Sequence, residues 1–298
     1  RRWRMFFCIF MMQRIPDRCE KDGISGRHFC FCKDESAGEG GWHMFLLKHE
    51  LKQGWKAMLL FSFAVGIMIV FCLMLFPELK TQMAPIQAMM QGLGGLAAAF
   101  GMDRLNYGEL IGFYGIYAGF MLGIGGMFYA AILGCGMLSK EEAQHTAETL
   151  LTYPVGRGSI CIWKLGAAAV LLLCFNVLVV LFSLAAFAII GEFPQWEPFA
   201  LYHLAQLTMQ LEIAGICFGI SAFLRKGSGT IGMAIAFVLY FLGIAGNITE
   251  KAGFVRYITP YAYADGASII SKGALDGRLV ALGIVYMAAG IIVGFWKY

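Results

Sequence analysis

Long unbroken apolar blocks, set apart by short polar punctuation, dominate the chain from residue 57 onward. Crossing a hydrocarbon core of about 30 Å takes roughly 20 helical residues. Blocks of that order cover 57–76, 110–136, 165–190, 199–224, 231–248 and 279–296, and they predict six transmembrane helices. Pro77 closes the first of them. Just before it, Phe45, Leu46, Leu47, Leu51 and Trp55 alternate with Lys48, Lys52 and Lys56, a basic amphipathic pattern suited to the headgroup layer. The expected fold is an all-α integral membrane protein of six spans, with an amphipathic N-terminal interfacial helix.

Charge gives the blocks a direction. Lys48, Lys52, Lys56, Arg157, Lys164, Arg225, Lys226 and Lys297 fall on one side of the six spans, and the positive-inside rule places that side, with both termini, in the cytoplasm. The connection between the third and fourth blocks is short and acidic, with Glu192 and Glu197. The one between the fifth and sixth departs from the rule, because Lys251, Arg256, Lys272 and Arg278 offset Glu250, Asp265 and Asp276. The expected location is a cell membrane, of the bacterial plasma-membrane kind, with the chain crossing it repeatedly.

Composition agrees: 59% of the residues are hydrophobic and 14% charged, against roughly 25% charged in a soluble domain. A formal charge of +4 fits basic cytoplasmic loops and gives no basic patch for a nucleic-acid partner. Cys72, Cys135, Cys161, Cys174 and Cys217 lie in or beside apolar blocks, where a thiol packs as a small hydrophobe. His28, Cys30 and Cys32 lack the paired spacing of zinc modules, so no metal site is expected.

Residues 1–43 have a different character, rich in Arg, Cys, Asp and Gly and without sustained periodicity. Glu39-Gly40-Gly41 can be encoded by a purine-rich string of the ribosome-binding kind just ahead of the Met44 codon. On that reading Met44 is the natural start, residues 1–43 are a disordered, upstream-derived extension, and 44–298 form the membrane domain.

Within the spans, two kinds of residue stand out. Gly115, Gly119 and Gly123 recur every fourth residue, with shorter echoes at Gly215 and Gly219 and at Gly290 and Gly294, and such stripes let another helix approach closely. Glu212 sits deep in the fourth block, where a carboxylate costs roughly 2.5 to 3.5 kcal/mol on insertion scales. Gln206 and Gln210 lie a turn or two away, so the three are candidates for a polar strip along a substrate path.

The connection 139–157 carries the most specific pattern. Ser139 followed by Glu142 has the spacing of a capping box and predicts a helix start there, and Pro154 ends that helix. Between them Ala143, Ala147, Leu150 and Leu151 share one face, while Glu141, Gln144, His145, Glu148 and Thr152 occupy the others. The stretch resembles ABC-2 type permeases: Glu141, Glu142, Thr146, Glu148, Leu150, Leu151, Pro154, Val155 and Arg157 match that family's pattern, with His145 and Gly156 departing from it. Weaker likeness extends to the Leu46–Trp55 region and to Thr259-Pro260-Tyr261.

The resemblance implies the permease subunit of an ATP-driven exporter, in which this segment is a cytoplasmic coupling helix docking on a separate ABC-type ATPase. It implies a homodimer, or a heterodimer with another permease. It also implies that Glu141, Glu142, Thr146, Glu148, Leu150, Leu151, Pro154 and Arg157 form the ATPase-coupling surface. The chain has no G-x-x-x-x-G-K-[ST] loop, so ATP and Mg are expected on the partner and no catalytic residue here. Two other classes stay open: a non-transporting membrane sensor or scaffold, and an intramembrane enzyme, for which Glu212 lacks a catalytic partner in the sequence.

Overall fold

A computed structural model describes residues 39–82, 105–106, 108–143, 156–224, 228–248, 254–255 and 257–297. The helical bundle belongs to the unit Trp42–Tyr298. In chain order its helices are α1 (Glu39–Met74), α2 (Phe76–Thr81), α3 (Leu110–Ala143), α4 (Arg157–Ile190), α5 (Trp196–Ser221), α6 (Ser228–Ile248), α7 (Tyr261–Ala264), α8 (Gly266–Lys272) and α9 (Gly277–Lys297). Six of them, α1 continued by α2, α3, α4, α5, α6 and α9, are long and apolar enough to cross a membrane. Residues 1–38 lie outside the described residues, and with them most of the segment read as an extension.

The six spans fall where the apolar blocks predict them, and several run past the block ends. The 36-residue α1 passes without a break from the basic segment into the first span. The reason is packing: Leu46 and Glu50 are buried on one face of the opening turns, so that face is held against the bundle. Pro77 opens α2, where its missing amide would be unpaired in any case.

At α3 the structure corrects the sequence reading. The helix continues through Ser139 to Ala143, so Ser139 does not start a new helix. Its hydroxyl donates to the Cys135 carbonyl one turn back at 2.7 Å, and the Leu138 and Ser139 amides donate to Ser221 Oγ at 2.9 and 3.2 Å. Any helix that follows within 144–155 lies outside the described residues.

The hub is α5, which packs against α3, α4 and α9. Two-thirds of its most apolar stretch is buried, against 11% for α6 and α9. Its junction with α9 is made by glycine: a Cβ on Gly219 would sit 2.9 Å from the Gly290 carbonyl carbon, and one on Gly290 would sit 2.7 Å from the Gly215 carbonyl oxygen. The two short glycine echoes of the sequence therefore meet each other, backbone on backbone.

Between α6 and α9 the chain does not run as a simple loop. The short helices α7 and α8 turn back against α3 and α5, where Tyr261 Oη donates to the Gly123 carbonyl at 3.1 Å. The Asp265 side chain caps α8 by accepting from the Ser268 amide at 3.1 Å. Of the basic residues on this connection, Lys272 ends α8 and Arg278 lies in the first turn of α9, while Lys251 and Arg256 lie outside the described residues.

Candidate functional site

The polar residues of α5 divide between two faces. Gln206 and Gln210 are one turn apart and share a face, whereas Glu212 points away from both. Gln206 Nε2 donates to the Ala264 carbonyl at 2.9 Å, pinning α7. Gln210 Oε1 accepts from Asn176 Nδ2 of α4 at 2.6 Å, and its amide lies where a side chain at Gly126 of α3 would sit. Glu212 meets α7 and α9: Tyr263 Oη donates to its Oε2 at 2.7 Å, and a Cβ at Gly283 would overlap the carboxylate. The three candidates therefore do not form one strip. The partner of Glu212, absent from the sequence reading, is Tyr263.

These residues are buried, with Gln206 2%, Gln210 0% and Glu212 2% exposed. Among the described residues, Gln206 Oε1, Gln210 Nε2 and Asn176 Oδ1 find no hydrogen-bond partner. Buried amides left half satisfied are costly.

The glycines of α3 make room for the turned-back segment. A Cβ on Gly115 would run into Ile270 of α8, and one on Gly123 would come within 3.9 Å of the Tyr261 ring. Gly119 opens instead onto a cavity of about 60 Å³ lined also by Tyr240, Tyr261 and Asp265.

The coupling candidates are described only at their margins. Glu141 and Glu142 belong to the last turn of α3, and Arg157 opens α4. Thr146, Glu148, Leu150, Leu151 and Pro154 lie outside the described residues.

What the structure places beside that connection is a buried ion cluster. Glu50 of α1 sits between Lys140 at the end of α3 and Lys164 near the start of α4. Lys164 Nζ donates to Glu50 Oε1 at 2.7 Å and to the Met137 carbonyl at 3.2 Å, while Lys140 Nζ donates to Glu50 Oε2. The Lys164 side chain is fully enclosed and that of Glu50 is 8% exposed. Three helices are thus tied by charge at the end from which residues 144–155 leave and return. Glu50 carries no signal in the sequence, since it looks like one more polar position on an amphipathic segment.

At the opposite end the bundle is closed by rings. Tyr114 Oη shares a hydrogen bond with Ser183 Oγ and another with His203 Nε2, each 2.9 Å, among Phe187, Phe199 and Tyr202. Outside this plug Lys80 pairs with Glu192 at 2.8 Å, with both side chains nearly half exposed.

Residues 44–254 match the model of a family described as ABC-2 family transporter protein. No individually curated protein matches the chain.

Proposed function

We propose that this chain, which belongs to the ABC-2 family of transporter proteins, works as one permease of a dimer whose ATPase subunits dock at the connection between α3 and α4. The family match covers most of the membrane domain and is the observation that carries the reading. It is supported by the pattern Glu141 to Arg157 on that connection and by the absence from the sequence of a phosphate-binding loop, which leaves ATP and Mg to the partner.

In this reading the end bearing Glu50, Lys140 and Lys164 faces the cytoplasm, in keeping with the basic residues gathered there. Closure of the ATPases pushes on 144–155. The push enters α3 and α4 together, because Lys140 and Lys164 share one carboxylate, and passes to α1 through Glu50. From α3 it reaches the hub α5, whose glycine junction with α9 lets the two helices slide. Transport runs outward, along the interface between permeases. A packed bundle with two arrangements is the element such coupling needs.

The test is ATP-dependent accumulation. Inside-out vesicles carrying the complex, energised with MgATP, are expected to accumulate a compound, detected by untargeted mass spectrometry, that vesicles without the chain exclude. Hydrolysis without accumulation of any compound would favour the sensor reading.

A further inference from the structure

Glu212 lies enclosed on the face of α5 that meets α7 and α9. Among the described residues the Tyr263 hydroxyl is its one hydrogen-bond partner, and no lysine, arginine or histidine pairs with it. From α9 it is met by backbone: a Cβ on Gly283 would sit 2.7 Å from the carboxyl carbon. From α3, α4 and α6 no titratable side chain faces it among the described residues. An ionised carboxylate withdrawn from water with a single neutral donor is costly, and a metal cation or a proton relieves it. No group of three metal-ligating side chains is present among the described residues, and the close approach of α9 leaves little space beside the carboxyl. A proton needs no such space. Tyr263 also forms part of the wall of a cavity of about 390 Å³ where α8 hands over to α9. Buried Ser268 lines it, as do Lys272, Asp276 and Arg278, all three exposed, so solvent is one side chain away from the carboxyl.

We propose that Glu212 is a proton-binding site that exchanges with solvent through Tyr263. The phenol passes its proton to Glu212 Oε2 and takes one from solvent in the cavity. One O–H bond thus forms at the carboxyl, the phenol ends as it began, and the buried charge is gone. Release follows the same path in reverse. With the proton on, α9 can rest against the carboxyl at Gly283. With it off, an ion faces that backbone, and α9 is driven to draw back and admit water. The proton thereby sets how closely α9 holds to α5, the two helices joined further along by Gly215, Gly219 and Gly290.

Infrared spectra of the full chain in detergent, recorded as the pH is varied, read the carbonyl stretch of protonated carboxyl groups. A band that remains at neutral pH, where exposed carboxylates are ionised, and that is missing from Glu212→Gln is the expected result. Tyr263→Phe takes the hydrogen-bond donor from the ionised form, so the proton is expected to bind about tenfold more tightly and the band to persist to higher pH. Identical spectra of the unaltered chain and Glu212→Gln at neutral pH, or a Tyr263→Phe profile that superimposes on that of the unaltered chain, would overturn the proposal.

Discussion

Two ion pairs at opposite ends of the bundle have nearly the same length and different surroundings. Lys164 and Glu50 meet at 2.7 Å with side chains 0% and 8% exposed, and Lys80 and Glu192 meet at 2.8 Å with side chains 45% and 47% exposed. Distance alone would rank them equal. The exposed pair has water as a ready substitute partner and is worth little. The enclosed pair is cut off from water, so removing one member leaves the other in a place where solvent cannot replace it. The difference separates an end whose ion pair adds little to what the rings already hold from one whose three helices are joined by buried charge.

The largest expected effect comes from breaking the enclosed cluster. Glu50→Ala leaves Lys164 buried without its carboxylate and should cost about 3–5 kcal/mol, read as a fall in the thermal unfolding midpoint of the purified chain. Replacing both partners, Glu50→Leu with Lys164→Leu, should recover most of the loss, because the two buried charges go together and Lys140, its side chain 26% exposed, can turn to water. A double variant no more stable than Glu50→Ala would show that packing around Glu50, not charge, holds the three helices.

A smaller effect is expected where a buried carboxylate has a neutral partner. Tyr263→Phe removes the hydrogen bond to Glu212 while keeping the ring, and should cost about 1–3 kcal/mol by the same measurement. Glu212→Gln in the same background should bring part of that back, since an amide tolerates the loss better than a carboxylate. The smallest effect belongs to the exposed pair: Lys80→Gln should change stability by less than about 1 kcal/mol, and added salt should shrink even that. A loss as large as that of Glu50→Ala would undo the comparison between the ends.

The spans were legible in the sequence because one constraint, apolar length against bilayer thickness, decides them. Their true ends were less so. Ser139 and Glu142 have the spacing of a helix start, yet the Ser139 hydroxyl is taken by Cys135 within the same helix and its amide by Ser221, 82 residues away. A local signature cannot see a partner at that distance. The α7–α8 segment escaped for a related reason, being too short for a periodic signal and reading as loop.

The candidate site was legible in kind and not in pairing. Glu212 is conspicuous as a carboxylate in an apolar block, but its partner Tyr263 is 51 residues away. Gln206 and Gln210 are one turn apart, and the sequence offers no sign that one turns to Ala264 and the other to Asn176. Glu50 is the opposite case, an inconspicuous residue that folding places between two lysines.

The coupling of this chain to an ATPase at the α3–α4 connection is tested most directly by a pull-down of the tagged full chain from native membranes, set beside the variant Glu141→Ala, Glu142→Ala, Glu148→Ala. Recovery of an ABC-type ATPase with the unaltered chain, and its loss from the variant while the chain itself stays folded, is the predicted result. Recovery of the ATPase in equal amount with both would contradict the proposed interface, and recovery with neither would contradict the coupling itself.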